Sequence, residues 1–221
     1  MKREFHSETF EKISSEKRDR ILTVTISEFA KNGFAGTSIN TIAKKAGISI
    51  GSLYSYFDSK ESLFLAMVQK GYELLERAIG EVHAEEGSFW DKLERLFKVA
   101  YRYSKKHPDM NKLYLNLSHE NLGPMMQEST DQLEKCFLDV YTQMIDEGLS
   151  QGELREDLDR NMAMFTIDNL VVMLQFSLSA DYFKRRFIQF LGSDLLDDEE
   201  KLTGQMVEIL RHALRGGLDD R

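Results

Sequence analysis

Residues 37–60, TSINTIAKKAGISIGSLYSYFDSK, gather small hydroxyls into one stretch. Thr37, Ser38, Ser49, Ser52, Tyr54, Ser55 and Tyr56 offer hydroxyls and Lys60 an ammonium. These groups suit phosphate oxygens, which fix register on a polyanion without reading its sequence. Ile50 and Gly51 sit among them and leave room for close approach. Covalent chemistry finds no comparable set. The histidines, His6, His83, His107, His119 and His212, are isolated, and none follows a Glu by three residues as a di-iron bundle requires. His-Glu-x-x-His zinc spacing, a phosphate-cradling glycine loop and a G-x-S-x-G elbow are absent too. Neither an enzyme nor a cofactor or metal is expected.

The elements that must position the hydroxyls are readable from spacing. Ile39, Ile42, Ala43 and Ala46 recur at i, i+3, i+4 and i+7, the stripe of a short amphipathic helix. Thr37 or Ser38 can cap its start, since a hydroxyl there can accept from an orphaned backbone N–H. Gly47 ends it by tolerating a left-handed backbone, and Ile48 plugs the corner. A second helix follows from Ser49, with Leu53 and Phe57 docked on the first and Ser49, Ile50, Gly51, Ser52 and Ser55 outward. A projecting helix with small side chains behind a glycine turn suits a helix-turn-helix entering the major groove. Periodicity alone leaves an ordinary helical hairpin equally open.

The pattern Thr37, Ile42-Ala43, Ala46-Gly47-Ile48-Ser49, Gly51, Leu53-Tyr54, Tyr56-Phe57, Ser59-Lys60-Glu61 and Leu63 resembles the DNA-binding domain of TetR-family transcriptional regulators, over residues 16–63. The resemblance implies an all-α homodimer with a three-helix reading head in residues 1–60. Residues 61–221 would then form a helical ligand-binding and dimerisation domain. It implies a double-stranded, palindromic DNA operator, repression, and release by a small-molecule effector. By position, Thr37, Ser52, Tyr54, Tyr56 and Lys60 would touch phosphates, and Ser49, Ile50 and Gly51 would face base edges. One departure stands out: residues 49–55 contain no Arg, Lys, Asn or Gln, so bidentate base contacts are missing. Ile50 can meet a thymine methyl, but the operator itself is not legible.

The whole chain agrees with that class. Among 221 residues the only prolines are Pro108 and Pro124, and the stretches between carry helical periodicity, so the fold is read as all-α. Cys136 is the only cysteine and makes no intramolecular disulfide. With a charged N-terminal stretch lacking an apolar signal core, this points to the cytoplasm. The longest aliphatic run, residues 170–174, is far short of the ~20 residues a bilayer requires, so no membrane span is expected. The net charge of −8 is uneven: residues 1–60 carry 10 Lys/Arg against 7 Asp/Glu, and residues 61–221 carry 19 against 30. A mildly basic head on an acidic body fits approach to a polyanion by the head only.

In chain order, residues 1–13 read as a mobile arm, with Lys2 and Arg3 either disordered or in a minor groove. A helix from Ser14 or Ser15 buries Ile21, Leu22, Ile26, Phe29 and Ala30 and ends at Asn32-Gly33. Its Lys17 and Arg18 are either backbone contacts or solvated charges. Asp58-Ser59-Lys60-Glu61 resembles a capping box. It opens a helix through Leu63, Phe64, Met67, Leu74, Leu75, Ala78 and Val82 to His83, joining head to body without a flexible linker. Further helices carry Phe89 to Tyr101, then Met110, Leu113, Tyr114 and Leu117, then, after Gly123-Pro124, Met126, Leu133, Phe137, Val140, Tyr141, Met144 and Ile145.

Residues 162–178 include 12 apolar residues of 17, spread all round, which predicts a helix buried on every side. The last helix, about residues 198–215, puts Leu202, Met206, Ile209, Leu210, Ala213 and Leu214 on one side, read as a stripe between protomers. Phe97, Tyr101, Met110, Tyr114, Tyr141, Met144, Phe165 and Met173 are candidate walls of a site for a lipophilic effector, although such residues serve equally as plain core. Asp168 and Asn169 are polar amid them and need partners, from a neighbouring helix, a dimer seam or a ligand. A helical adaptor that binds only proteins remains the rival reading.

Overall fold

The computed structural model describes residues 5–83, 86–117 and 124–215. Lys2, Arg3, His119 and Gly123, and the side chains of Leu75, His83, Leu117, Met126, Leu133 and Cys136, lie outside what is described. The described chain is all-α. The helices are α1 (Glu8–Glu11), α2 (Ser15–Gly36), α3 (Ile39–Ala46), α4 (Ile50–Tyr56), α5 (Lys60–His83), α6 (Phe89–Lys106), α7 (Pro108–Leu117), α8 (Pro124–Ser150), α9 (Arg160–Ser179), α10 (Asp181–Leu191) and α11 (Glu199–Leu214). A 3-10 turn, Asp194–Asp197, precedes α11. The described residues contain no strand, only an isolated antiparallel bridge between Leu154 and Arg215.

The chain forms two compact units, Met1–Leu74 with Asp109–Ser129, and Leu75–Pro108 with Thr130–Arg221. In the first, Ser14 Oγ accepts from the Lys17 N–H to start α2. The α2 backbone breaks at Gly33, whose φ of 67° and ψ of 177° suit only glycine. The last turn before the break gains a donor from α7: Asn116 Nδ2 lies 3.3 Å from Phe29 O and 3.1 Å from Ala30 O. Ile21, Phe29, Ile42, Leu53, Phe57, Leu63, Phe64 and Met67 are fully buried in this unit. Phe64 meets Phe29 edge-on at 4.8 Å and Phe34 at 5.3 Å between ring centroids.

Three local expectations change here. Neither hydroxyl caps α3: Ser38 occupies the cap position without a side-chain bond, and Thr37 Oγ1 donates backwards to Gly33 O at 2.6 Å. The α2 break leaves that carbonyl open, and it takes the donor first. At the start of α5 the cap is Ser59, whose Oγ accepts from the Ser62 N–H at 3.0 Å, because the helix begins one residue later than an Asp58 cap requires. The N-terminal arm is not a loose tail over its described part: α1 buries Phe10 to 4% exposure against Tyr56 and Phe57.

In the second unit, α6, the C-terminal part of α8, α9 and α11 surround a core that includes Phe89, Leu93, Phe97, Met144, Ile167, Val171 and Leu210. Gly148 permits the closest approach, since a Cβ there would lie 2.9 Å from Leu154 and 3.1 Å from Phe89. Much of the α11 stripe packs within its own unit: Leu202, Leu210 and Leu214 are buried and Met206 packs on the same core, which leaves Ile209 and Ala213 facing out. The apolar face of α6 needs a cover, and ion pairs Lys98–Glu200, Arg102–Glu199 and Lys105–Asp197 fix α11 and the turn before it there. Such exposed pairs contribute roughly 0.2–1 kcal/mol each, so they orient the contact more than they stabilise it. Nor is α9 buried all round, because Met162, Phe165 and Met173 are 61%, 65% and 40% exposed. This helix is long and apolar enough to cross a bilayer, but half of its apolar window is buried, as in a core helix.

Replacing Asn116 by Ala should lower the stability of the first unit by about 1–3 kcal/mol, the cost of two partly buried carbonyls losing their donor. A urea titration followed by a probe in α2 measures it. An unchanged midpoint would mean that water replaces the amide fully.

Candidate nucleic-acid interface and effector cleft

The interface is built on α3, Gly47 and α4. Gly47 adopts φ 69° and ψ 36°, and the Ile48 N–H donates to Ala43 O at 3.0 Å, so the chain reverses as its glycine predicts. Arg20 Nε donates to Ala46 O at 3.0 Å and closes the same helix end. Lys45 pairs with the nearly buried Glu28 at 2.5 Å and ties α3 to α2. Ser49 Oγ accepts from the Ser52 N–H at 3.0 Å and starts α4. Leu53 and Phe57 turn inward to 1% and 2% exposure, which forces the opposite face outward.

On that outer face Ser49, Ile50, Gly51, Tyr54 and Ser55 are exposed, with Ser52 half-buried and Ser38 exposed at the start of α3. Two of the nominated hydroxyls point elsewhere. Thr37 is buried with its hydroxyl on α2 carbonyls. Tyr56 is 5% exposed, and its hydroxyl accepts from Lys17 Nζ at 3.2 Å. Lys60 is tethered at the edge, donating to Ala35 O at 3.3 Å with its ammonium 4.8 Å from the Phe34 ring centroid. Lys17 is thus an internal partner, a third role beside the two its sequence position suggested.

Residues that the pattern did not single out hold the far end of α4. The Ser7 N–H donates to Tyr56 O at 2.9 Å and Ser7 Oγ donates to Ser55 O at 2.7 Å. Those carbonyls end a helix of seven residues and would otherwise be orphaned. Phe10 was the available signal, an aromatic within a charged run. Lys44, exposed in the last turn of α3, adds a cation near the same surface.

In the second unit a cleft of about 260 Å³ lies between α8 and α9, lined by Glu134, Phe137, Leu138, Tyr141, Asn161, Met164, Phe165 and Asp168. It gathers three of the candidate effector residues, Tyr141, Phe165 and Asp168. Phe97 and Met144 are core instead, and Tyr101 is buried with its hydroxyl donating to Leu196 O at 3.0 Å. Met110 and Tyr114 belong to the first unit. Asn169 is exposed and donates to Phe165 O on its own helix, and Met173 faces outward. Burial pushes the Asp168 carboxyl above the usual carboxylate range, opposed by a hydrogen bond with Tyr141 and helped by the charge of Glu134. Among the described residues no group of His, Cys, Asp and Glu could hold a metal.

Comparison with known proteins covers both units. The family model for bacterial regulatory proteins of the tetR family matches residues 21–67, and that for the tetracyclin repressor-like C-terminal domain matches residues 88–215. The chain is 27% identical over 160 residues to a fatty acid metabolism regulator protein of Bacillus subtilis, covering 69% of this chain and 80% of that one. It is 25% identical over 200 residues to the HTH-type transcriptional repressor NicS of Pseudomonas putida, covering 90% and 91%. Its fold is similar to that of the transcriptional regulator FadR of Bacillus subtilis in complex with stearoyl-CoA, with a TM-score of 0.68 and 21% identity over 87% of this chain and 96% of that one.

Replacing Phe10 by Ala should remove a buried aromatic at a cost of about 3–5 kcal/mol to the first unit. It should also speed amide exchange at residues 53–57 more than at residues 39–46. Equal acceleration of both helices would show that α1 supports the whole unit and not the end of α4.

Proposed function

Because the chain belongs to the TetR family of bacterial regulatory proteins, we propose that α4 of each protomer enters the major groove of a palindromic operator, presenting Ile50 and its small neighbours to base edges. The chain is a DNA-binding transcriptional regulator that acts as a homodimer. Its output on this reading is repression in the cytoplasm, in line with the relative named as a repressor. The observation that carries the reading is the outward face of α4, where every exposed group is small, apolar or hydroxylic and none is charged.

Roles divide along that surface. Tyr54, Ser52, Ser55 and Ser38 meet phosphate oxygens, with Lys60 at the edge, while Ser49, Ile50 and Gly51 approach bases. Thr37 and Tyr56, being buried, serve by holding α3 and α4 in place. Residues 1–60 act as the reading head and residues 61–221 as the dimerising, effector-binding body. The exposed apolar residues Met162 and Met173 on α9, Tyr182, Phe190 and Leu191 on α10, and Ile209 on α11 supply the dimer face. A protein-only adaptor would leave the hydroxyl face of α4 without a use.

Release follows from linkage. A small, largely apolar effector in the α8–α9 cleft that prefers a second conformation of the body shifts the population by its differential affinity for the two states. The continuous helix α5 offers a stiff route from body to head, since it starts at Lys60, the edge of the interface. No catalytic step enters this scheme.

The reading is tested by selecting bound duplexes from a random pool with the full chain, then titrating the winner against salt. A palindromic winner bound by a dimer, with affinity falling steeply as salt rises, is expected. Tyr54→Ala should weaken every duplex by a similar factor, about tenfold, as loss of a phosphate contact does. Ile50→Ala should instead change preference at one or two base positions. Selective loss with Tyr54→Ala, or unaltered preference with Ile50→Ala, would reverse those assignments.

A further inference from the structure

The α8–α9 cleft has a composition that narrows what it can hold. Residues 134, 137, 138 and 141 and residues 161, 164, 165 and 168 each recur at i, i+3, i+4 and i+7, so two helical stripes face one another. A plain helix seam would be aliphatic throughout. Here the stripes place two carboxylates, Glu134 and Asp168, beside three aromatic rings, those of Phe137, Tyr141 and Phe165, and among the described residues no basic side chain lines the cleft. Phe137 and Tyr141 lie nearly parallel at 6.4 Å between centroids, which turns two ring faces in similar directions. Thr142 Oγ1 donates to Leu138 O at 2.7 Å, and its oxygen lies 3.4 Å from Met164 Sδ across the seam.

We propose that this cleft binds a small organic ammonium ion, its charge held by Asp168 and Glu134 and its alkyl groups lying on Phe137, Tyr141 and Phe165. Aromatic faces attract alkylammonium groups through the ring quadrupole, and the half-buried Asp168 carboxylate, with the exposed Glu134 at the rim, supplies the opposite charge. An anionic chain would meet two like charges without a counter-ion, which costs affinity. The volume, about 260 Å³, lies just under the ~300–1,000 Å³ of drug-sized sites, so the ligand is a single short chain or ring. This inference rests on the reading that the body takes the effector.

The probe is octyltrimethylammonium below its micelle concentration, with octanoate and octanol as anionic and neutral matches. Each is titrated calorimetrically into the full chain and into Asp168→Asn, Glu134→Gln and Phe137→Leu. The ammonium should bind at least about tenfold tighter than either match, and each acid variant should lose about tenfold for the ammonium while leaving octanol unchanged. Phe137→Leu should weaken the ammonium more than octanol. Thermal melts confirm that the near-isosteric variants fold. Octanoate binding as tightly as the ammonium, or variants that bind the ammonium unaltered, would overturn the proposal. So would absence of all binding together with dissociation of Asp168→Asn into monomers in sedimentation, which would assign the cleft to a side chain of the second copy. Ammonium binding that leaves operator affinity unchanged upholds the ligand class and removes only the effector role.

Discussion

The structure of the reading head depends on what happens to the carbonyls at the end of α2. Gly33 breaks the helix, and a broken helix exposes acceptors that no later turn satisfies. Donors from distant parts of the chain converge there: the Thr37 hydroxyl on Gly33 O and Glu28 O, the Asn116 amide on Phe29 O and Ala30 O, and the Lys60 ammonium on Ala35 O. Each bond is worth only ~0.5–1.5 kcal/mol net, but leaving the acceptors buried without donors costs more. The consequence is positional. The start of α3, the start of α5 and the C-terminal end of α7 are all referred to one helix end, so that of the interface side chains only Lys60, at its edge, takes part in fixing the geometry.

That division of labour explains why α4 can present so little. A helix of seven residues does not persist alone in water. It is held by the Ser49 cap at one end, by Leu53 and Phe57 underneath, and by Ser7 and Phe10 at the other end. All the stabilising groups are inward or terminal. Apart from the Ser49 cap and the Ser55 hydroxyl on Ser52 O, the outer face is left free of structural duty, and small residues there let the backbone approach a groove floor.

Much of this was legible in sequence, and the parts that were not share a cause. Gly47, Ser49, Leu53 and Phe57 behave as their spacing implies, because a turn, a cap and a stripe are local properties. Thr37 and Tyr56 do not: the Thr37 hydroxyl turns back to Gly33 O, four residues earlier, because the helix breaks there, and the Tyr56 hydroxyl answers to Lys17, 39 positions away. The contact of Ser7 with Ser55 spans 48 positions and left no periodic trace. For α9 and α11 the difficulty is of another kind. Periodicity says that a face is apolar but not whether the chain or a second copy covers it. The evenly apolar α9 turns out to carry exposed Met162 and Phe165, while much of the clean stripe of α11 is covered within its own unit. The cleft candidates divide for the same reason: Phe97 and Phe165 are equally aromatic, and only packing separates a 0% exposed core ring from a 65% exposed wall.

The absence of Arg, Lys, Asn and Gln from residues 49–55 then has a physical consequence for how sequence is read. Bidentate recognition of guanine or adenine needs a guanidinium or an amide, and α4 offers neither. What it offers is the Ile50 side chain, which can distinguish a thymine methyl, and hydroxyls that donate or accept with either base edge. Discrimination by α4 alone is therefore shallow. On the proposed reading, part of the selectivity comes from the duplex, whose width and bending decide how well a head can seat its phosphate contacts. Rigid reference of α3, α5 and α7 to one helix end is what makes that possible, since a head that flexed would accept many duplex shapes. The small outer face and the convergent hydrogen bonds at Gly33 are thus two halves of one design, in which shape fit carries information that side chains do not.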